Sequence, residues 1–127
     1  TFDNSFKPKP ELFPPCVKLI LDGVKNDGRK RALFILINFL RSSNYLMDEV
    51  KNILFEWNKK NYEPLKDGYI ISQLSWYSRQ GRQLPPPNCD NEMYMKGIGV
   101  CKPDFHCSKI KNPASYPGVK SRMLKKK

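Results

Sequence analysis

Three of the four cysteines, Cys89, Cys101 and Cys107, lie in a stretch that has little means of folding alone. Past Gly81 the chain is punctuated by Pro85-Pro86-Pro87, Gly97, Gly99, Pro103, Pro113 and Pro117, which leaves room only for short helical turns, predicted at 88–96 and 105–110. A segment of about 45 residues with so few apolar side chains needs an anchor from elsewhere. The fourth cysteine, Cys16, stands far away in sequence, at the start of the first predicted helix. Together the four would tie the loop-rich part back onto whatever precedes it.

What precedes it reads as helices. Val17, Ile20, Leu21 and Val24 recur at helical spacing behind Pro15, a residue suited to a first turn, and Gly28 is predicted to lie beyond the end. The run from Arg29 to Arg41 is apolar on most sides, so it should be a central helix with neighbours on more than one face. Met47, Val50, Ile53, Leu54 and Trp57 predict a third helix ending near Asn58, with Asp48 and Glu49 in the first turn where the helix dipole favours anions. Asp67 is placed to cap a fourth, carrying Tyr69, Ile70, Gln73, Leu74 and Tyr77 and ending at Gly81. The expected fold class is all-α. Residues 1–12, rich in proline, read as a linker or docked arm, 13–120 as the domain, and 121–127 as a solvated basic tail.

Charge narrows the function. The chain of 127 residues carries a formal net charge of +11 and 12% aromatic residues, too basic to be indifferent to polyanions and too aromatic for a disordered tail. Its longest apolar run, Ala32 to Ile37, is far short of a membrane span, and no signal-peptide pattern or initiator Met opens it. A membrane protein, a collagen-like chain and a secreted precursor are excluded, and a domain cut from a longer chain, or a processed chain, is expected. Nucleotidyl transfer needs carboxylates grouped to clamp metal ions, whereas the acids here are scattered. No Gly-rich phosphate loop, nucleophile elbow or zinc-protease motif occurs either. The chain is expected to have no catalytic centre of its own.

Four cysteines admit two disulfides, a structural zinc, an iron–sulfur cluster or free thiols. Zinc sites usually draw on paired C-x(2-4)-C knuckles, and none is present. A [4Fe-4S] cube presents separate iron corners, so its ligands can arrive from separate segments. Disulfides satisfy the count, but nothing signals secretion. Spacing alone leaves all four alternatives open.

The segment Phe13-Pro14-Pro15-Cys16, the Arg31-Ala32-Leu33-Phe34 helix, Pro87-Asn88-Cys89, and then Cys101, Cys107, Ile110, Asn112-Pro113 and Tyr116 together resemble the C-terminal iron–sulfur domain of the archaeal and eukaryotic DNA primase large subunit. The resemblance runs from about Phe13 to Tyr116, and Trp57-Asn58 with Gln73-Leu74-Ser75-Trp76 looks archaeal. It implies that Cys16, Cys89, Cys101 and Cys107 ligate a [4Fe-4S] cluster between two mostly helical lobes. It further implies single-stranded DNA template, the primer 5′ end, the initiating NTP and a primase catalytic subunit as partners, in the replication machinery of an archaeal cytoplasm, with no membrane.

A primer's 5′-triphosphate is best held by guanidinium forks and helix N-terminal amides. Arg29, Lys30 and Arg31 open the central helix, and Lys18 and Lys25 on the preceding one add charge. In the family this turn bears His-x-x-Arg; Arg31 matches the Arg, and Gly28 stands where the His would be. A solvated basic turn is the competing reading. The template surface is expected on the fourth helix, through Tyr69, Gln73, Tyr77, Arg79 and Arg82, where rings stack on bases and guanidinium groups take phosphates. Tyr69 and Tyr77 are eight apart and share a helix face, whereas Trp76 is turned about 100° from Tyr77, and Trp76 is expected to pack inside. His106 reads as a neighbour of the cysteines rather than a ligand. The competing functions are a structural iron–sulfur lobe that links primase subunits without touching nucleotide, and an electron carrier.

Overall fold

A computed structural model describes residues 6–25, 28–80 and 84–125. Among them there is no β-strand, and the fold is all-α. Five α-helices, α1 (Pro15–Leu21), α2 (Arg29–Ser42), α3 (Met47–Asn58), α4 (Asp67–Ser78) and α5 (Tyr116–Lys125), are joined by 3₁₀ turns at Pro10–Leu12, Phe105–Lys109 and Pro113–Ser115 and a π-turn at Glu92–Lys96.

The central helix is α2, as its apolar circumference requires. Ala32, Leu33, Ile35, Leu36, Ile37, Phe39 and Leu40 are all buried, and α1, α3, the π-turn and the Pro113–Ser115 turn pack around it. Phe13 reaches it from the arm with an edge-on contact of 5.1 Å to Phe39, and Tyr94 of the π-turn lies 5.0 Å from Phe34. Burying each such side chain contributes about 1.5–3 kcal/mol.

α1 is shorter than its periodicity suggests. It ends at Leu21, and Gly23 makes the left-handed turn at φ 107°, where an added Cβ would stand 2.3 Å from the Lys60 carbonyl oxygen. Gly28 therefore closes nothing behind α1; it is the residue before α2, at φ 119°. Trp57 fixes the end of α1 by donating its indole N–H to the Ile20 carbonyl at 2.8 Å. Asn58 pins the loop that follows α3, accepting from the Leu65 N–H and donating to the Leu65 carbonyl. Lys66 rather than Asp67 precedes α4, and no side chain caps it.

The N-terminal segment is a docked arm. Asn44 donates to the Phe6 carbonyl, Tyr45 to the Pro8 carbonyl, and Lys7 pairs with Glu49 at 2.5 Å while lying over the Tyr45 ring. Beyond the polyproline segment, Met95 and Val100 are buried in the core of the helical body and Tyr116 is buried beside the Phe105–Lys109 turn, anchors that the sequence reading did not supply. The expectation of nothing but short turns there is corrected by α5. Pro117 falls in its first turn, where a missing N–H breaks no helical bond, so the proline begins the helix instead of forbidding it. Residues 121–125, read from sequence as tail, are the last turns of α5. No described helix is long and apolar enough to cross a membrane.

Candidate cluster site and nucleic-acid interface

All four cysteines border one cavity. Cys16 comes from the start of α1, Cys89 and Cys101 from the loops on either side of the π-turn, and Cys107 from the Phe105–Lys109 turn; mostly apolar residues, among them Pro14, Met95 and Ile110, share the walls with Asp90 and Lys102. The space is about 240 Å³. The thiols are not joined to one another as disulfides. Among the described residues no three Cys, His, Asp or Glu side chains converge on a single-ion position. Four soft thiol donors bordering one cavity are the donor type that zinc and iron–sulfur groups both take.

Local hydrogen bonds hold these loops. The Cys89 N–H donates to the Lys111 carbonyl at 2.8 Å, and the Cys101 thiol lies 3.7 Å from the Cys89 carbonyl. Asn112 donates to the Pro86 carbonyl and to the Asn88 side chain, clamping the segment before Cys89 to the segment after Cys107. Asp104 caps the Phe105–Lys109 turn through the Cys107 N–H at 3.2 Å, and its other oxygen accepts from the Tyr116 hydroxyl at 2.5 Å. Although burial opposes it, the bonds from the Tyr116 hydroxyl, from the Cys107 thiol and then from the Cys107 and His106 amides hold the Asp104 carboxyl below its ordinary range.

The thiols also act on one another. Burial first, and then the neighbouring Cys89, Cys101 and Cys107, push the Cys16 thiol up to about 12. Cys89 rises to about 11 by burial and by Cys101 and Cys107. Thiols so placed stay protonated unless a cationic group takes them as thiolates. His106 is half-buried, its ring edge-on to Tyr116 at 5.8 Å and its Nδ1 4.0 Å from Asp104; it does not line the cavity.

The basic turn at the start of α2 is built as the sequence suggests, with its guanidinium groups already oriented. Arg31 donates to the Met93 carbonyl at 2.8 Å and Arg29 to the Glu63 carbonyl. Each guanidinium has five N–H donors, so one such bond orients the group and leaves others for an anion. The Lys30 ammonium lies 4.9 Å from the Tyr69 ring centroid, bringing the α2 turn against the start of α4. Lys25 is exposed. Lys18 is directed elsewhere: with Lys120 of α5 it donates to the Glu11 carbonyl.

On α4 two expectations exchange places. Ile70, Leu74 and Tyr77 follow i, i+4, i+7 and form the inward face, so Tyr77 is only 6% exposed, packed against Phe34. Its ring offers no stacking platform. Trp76, expected inside, is 46% exposed and stands edge-on to Tyr77. The signal was available: of two adjacent aromatics, the one in line with Ile70 and Leu74 is the core residue. Tyr69 and Gln73 are partly exposed, and Arg79 is exposed with a bond to the Ser75 hydroxyl at 2.7 Å. Arg82 lies outside the described residues.

Comparison with known proteins gives a single theme. The chain is 33% identical to the DNA primase large subunit PriL of Halobacterium salinarum over 114 residues, covering 87% of this chain and 30% of that protein. It is 32% identical to the DNA primase large subunit PriL of Methanosarcina mazei over 111 residues, 85% of this chain and 28% of that one. With the protein of the same name from Pyrococcus abyssi the identity is 26% over 144 residues, 85% of this chain and 36% of that one. The chain thus spans about a third of the length of the curated relatives it matches. No protein-family model matches it, and no solved structure does.

Proposed function

Starting from its relationship to the archaeal DNA primase large subunits, we propose that this chain is a non-catalytic module of a primase that holds template strand and initiating nucleotide together. On this reading a separate primase subunit supplies the polymerase centre, and the four cysteines hold a [4Fe-4S] cluster. The cavity bordered by Cys16, Cys89, Cys101 and Cys107 fits such a group in donor chemistry and in size. When bound, the cluster supplies cross-links between α1 and the loops that follow α4, which otherwise rest on Met95, Val100 and Tyr116.

The observation that carries the nucleotide reading is the contact of Lys30 with Tyr69. It sets a turn with three cations and free helical amides beside the aromatic start of α4. An anion at that turn offsets the unfavourable position of cations at a helix N-terminus. A single strand running from there along α4 meets Tyr69, Gln73, Trp76 and Arg79, rings for bases and a guanidinium for phosphate. Trp76 takes the stacking role first expected of Tyr77.

The test is fluorescence anisotropy with a primed template whose primer ends in a 5′-triphosphate or a 5′-hydroxyl. The triphosphate end should bind more tightly, and Arg29→Ala with Arg31→Ala should remove most of that preference while general strand affinity persists. Equal binding of the two ends by the unsubstituted protein would favour a structural lobe that links subunits without nucleotide contact.

A further inference from the structure

The Phe105–Lys109 turn carries Cys107 but places no large side chain in the core; Phe105 is 65% exposed. Its position has to be set by something else. Asp104 supplies one link, accepting the Cys107 N–H on one carboxylate oxygen at 3.2 Å beside the bond that its own backbone carbonyl accepts from the same N–H at 3.1 Å. Tyr116 supplies the next, donating its hydroxyl to the other oxygen. Tyr116 is 1% exposed, and it opens α5, which packs against the turn and against the Pro10–Leu12 segment just ahead of Cys16.

We propose that Tyr116 and Asp104 are positioning residues for Cys107: the buried phenol holds the carboxylate, and the carboxylate holds the amide of the cysteine. The register of α5 thereby sets where the last thiol stands at the cavity. This rests on the cluster reading above for its consequence, since a ligand held by its backbone dissociates less readily than one on a free turn. Neither Asp104 nor Tyr116 lines the cavity; each acts through Cys107. A carboxylate bonded at both oxygens is rigid only while both partners remain, so removing either partner should release the turn, and removing both should add little.

The experiment compares the protein as isolated without oxygen with Tyr116→Phe, Asp104→Ala and the double variant. Tyr116→Phe keeps the buried ring and removes one oxygen. Iron content should remain close to that of the unsubstituted protein, while the cluster's visible absorbance should bleach several-fold faster under a chelator in both single variants. The double variant should be about as fast as the faster single variant. Bleaching at the unsubstituted rate, or rates that multiply in the double variant, would overturn the proposal.

A second readout separates this failure from failure of the cluster reading. In metal-free protein, alkylation of each cysteine followed by mass spectrometry should accelerate at Cys107 and stay unchanged at Cys16 in every variant. If the unsubstituted protein holds no iron, the cluster reading falls, and acceleration confined to Cys107 still supports the positioning pair. Uniform acceleration at all four thiols would mean a general loss of fold and would overturn it. Should Tyr116→Phe not fold, Asp104→Ala with the same two measurements decides alone.

Discussion

The Lys30 ammonium stands 4.9 Å over the ring of Tyr69, joining the first turn of α2 to that of α4. A cation held on an aromatic face in this way is worth about 0.5–1 kcal/mol at an exposed site. It also keeps one ring face occupied until a base or a phosphate competes for either partner. Replacing Tyr69 by Leu, which preserves packing against the core, should weaken single-strand binding by about 1–3 kcal/mol, the size of one lost stack. Salt titration by anisotropy checks it; unchanged affinity at every ionic strength would move the strand off α4.

Trp76 and Tyr77 make an internal control. Trp76→Ala should lower strand affinity by a similar amount and shift the melting temperature little, because the ring is 46% exposed. Tyr77→Ala opens a cavity beside Phe34 and should cost about 3–5 kcal/mol of folding stability, comparable with other buried aromatics. Thermal melts run beside the binding assay separate the two. Opposite outcomes would restore Tyr77 as the surface residue.

Protein purified without oxygen should contain about four iron and four sulfide per chain, the complement of a cube with four thiolate ligands. Cys101→Ser should lower that content and increase hydrogen exchange through residues 84–115. Stoichiometric zinc with no iron, measured by elemental analysis, would replace the cluster with a mononuclear site.

Acid should loosen the N-terminal arm. The Glu49 carboxyl is held below 4.5 chiefly by its bond from Lys7, and then by the Leu46 N–H. A depressed carboxyl contributes its stabilisation in full above its unfolded value and loses it as pH falls through the folded one. Both partners are at the surface, so the expected result is local release of Phe6 to Pro8 rather than unfolding. The Asn44 side-chain amide and the Tyr45 ring, followed by NMR as pH is lowered through that range, report it. If neither moves, the carbonyl hydrogen bonds to Phe6 and Pro8 hold the arm without the ion pair.

Glycine exchange should give opposite signs at two positions. Gly23→Ala asks a Cβ to adopt φ 107° against the Lys60 carbonyl and should destabilise by more than about 1 kcal/mol. At Gly68, in the first turn of α4, nothing lies within 4 Å of an added Cβ, and alanine should stabilise by up to about 1 kcal/mol. Denaturant unfolding of both variants checks the pair.

The helices were legible wherever burial alone decides them. α2 announced itself by apolar residues on every side, and α3 by Val50, Leu54 and Trp57 with two acids in its first turn. α5 was hidden because Pro117 read as a break, although a proline in a first turn is favourable. Met95 could not be recognised as an anchor, since a single buried residue in a π-turn has no periodicity. The cysteine spacing singled out four residues and left their chemistry open; that four segments border one cavity is a tertiary fact. Lys18 shows the reverse case, a cation near in sequence to the α2 turn whose side chain bonds to Glu11.

Gly28 and Ile98 fill one another's room: a Cβ at position 28 would stand 2.6 Å from the Ile98 methyl, on a backbone already at φ 119°. The histidine that the family resemblance places at this position therefore cannot be grafted by one substitution. Gly28→His would have to push Ile98 aside and strain the start of α2, and only a paired exchange, with a smaller residue at 98, would seat it. Any lineage carrying Ile98 inherits that constraint. On the function proposed above, anion binding at this helix start is left to the cationic side chains of Arg29, Lys30 and Arg31 in place of an imidazole.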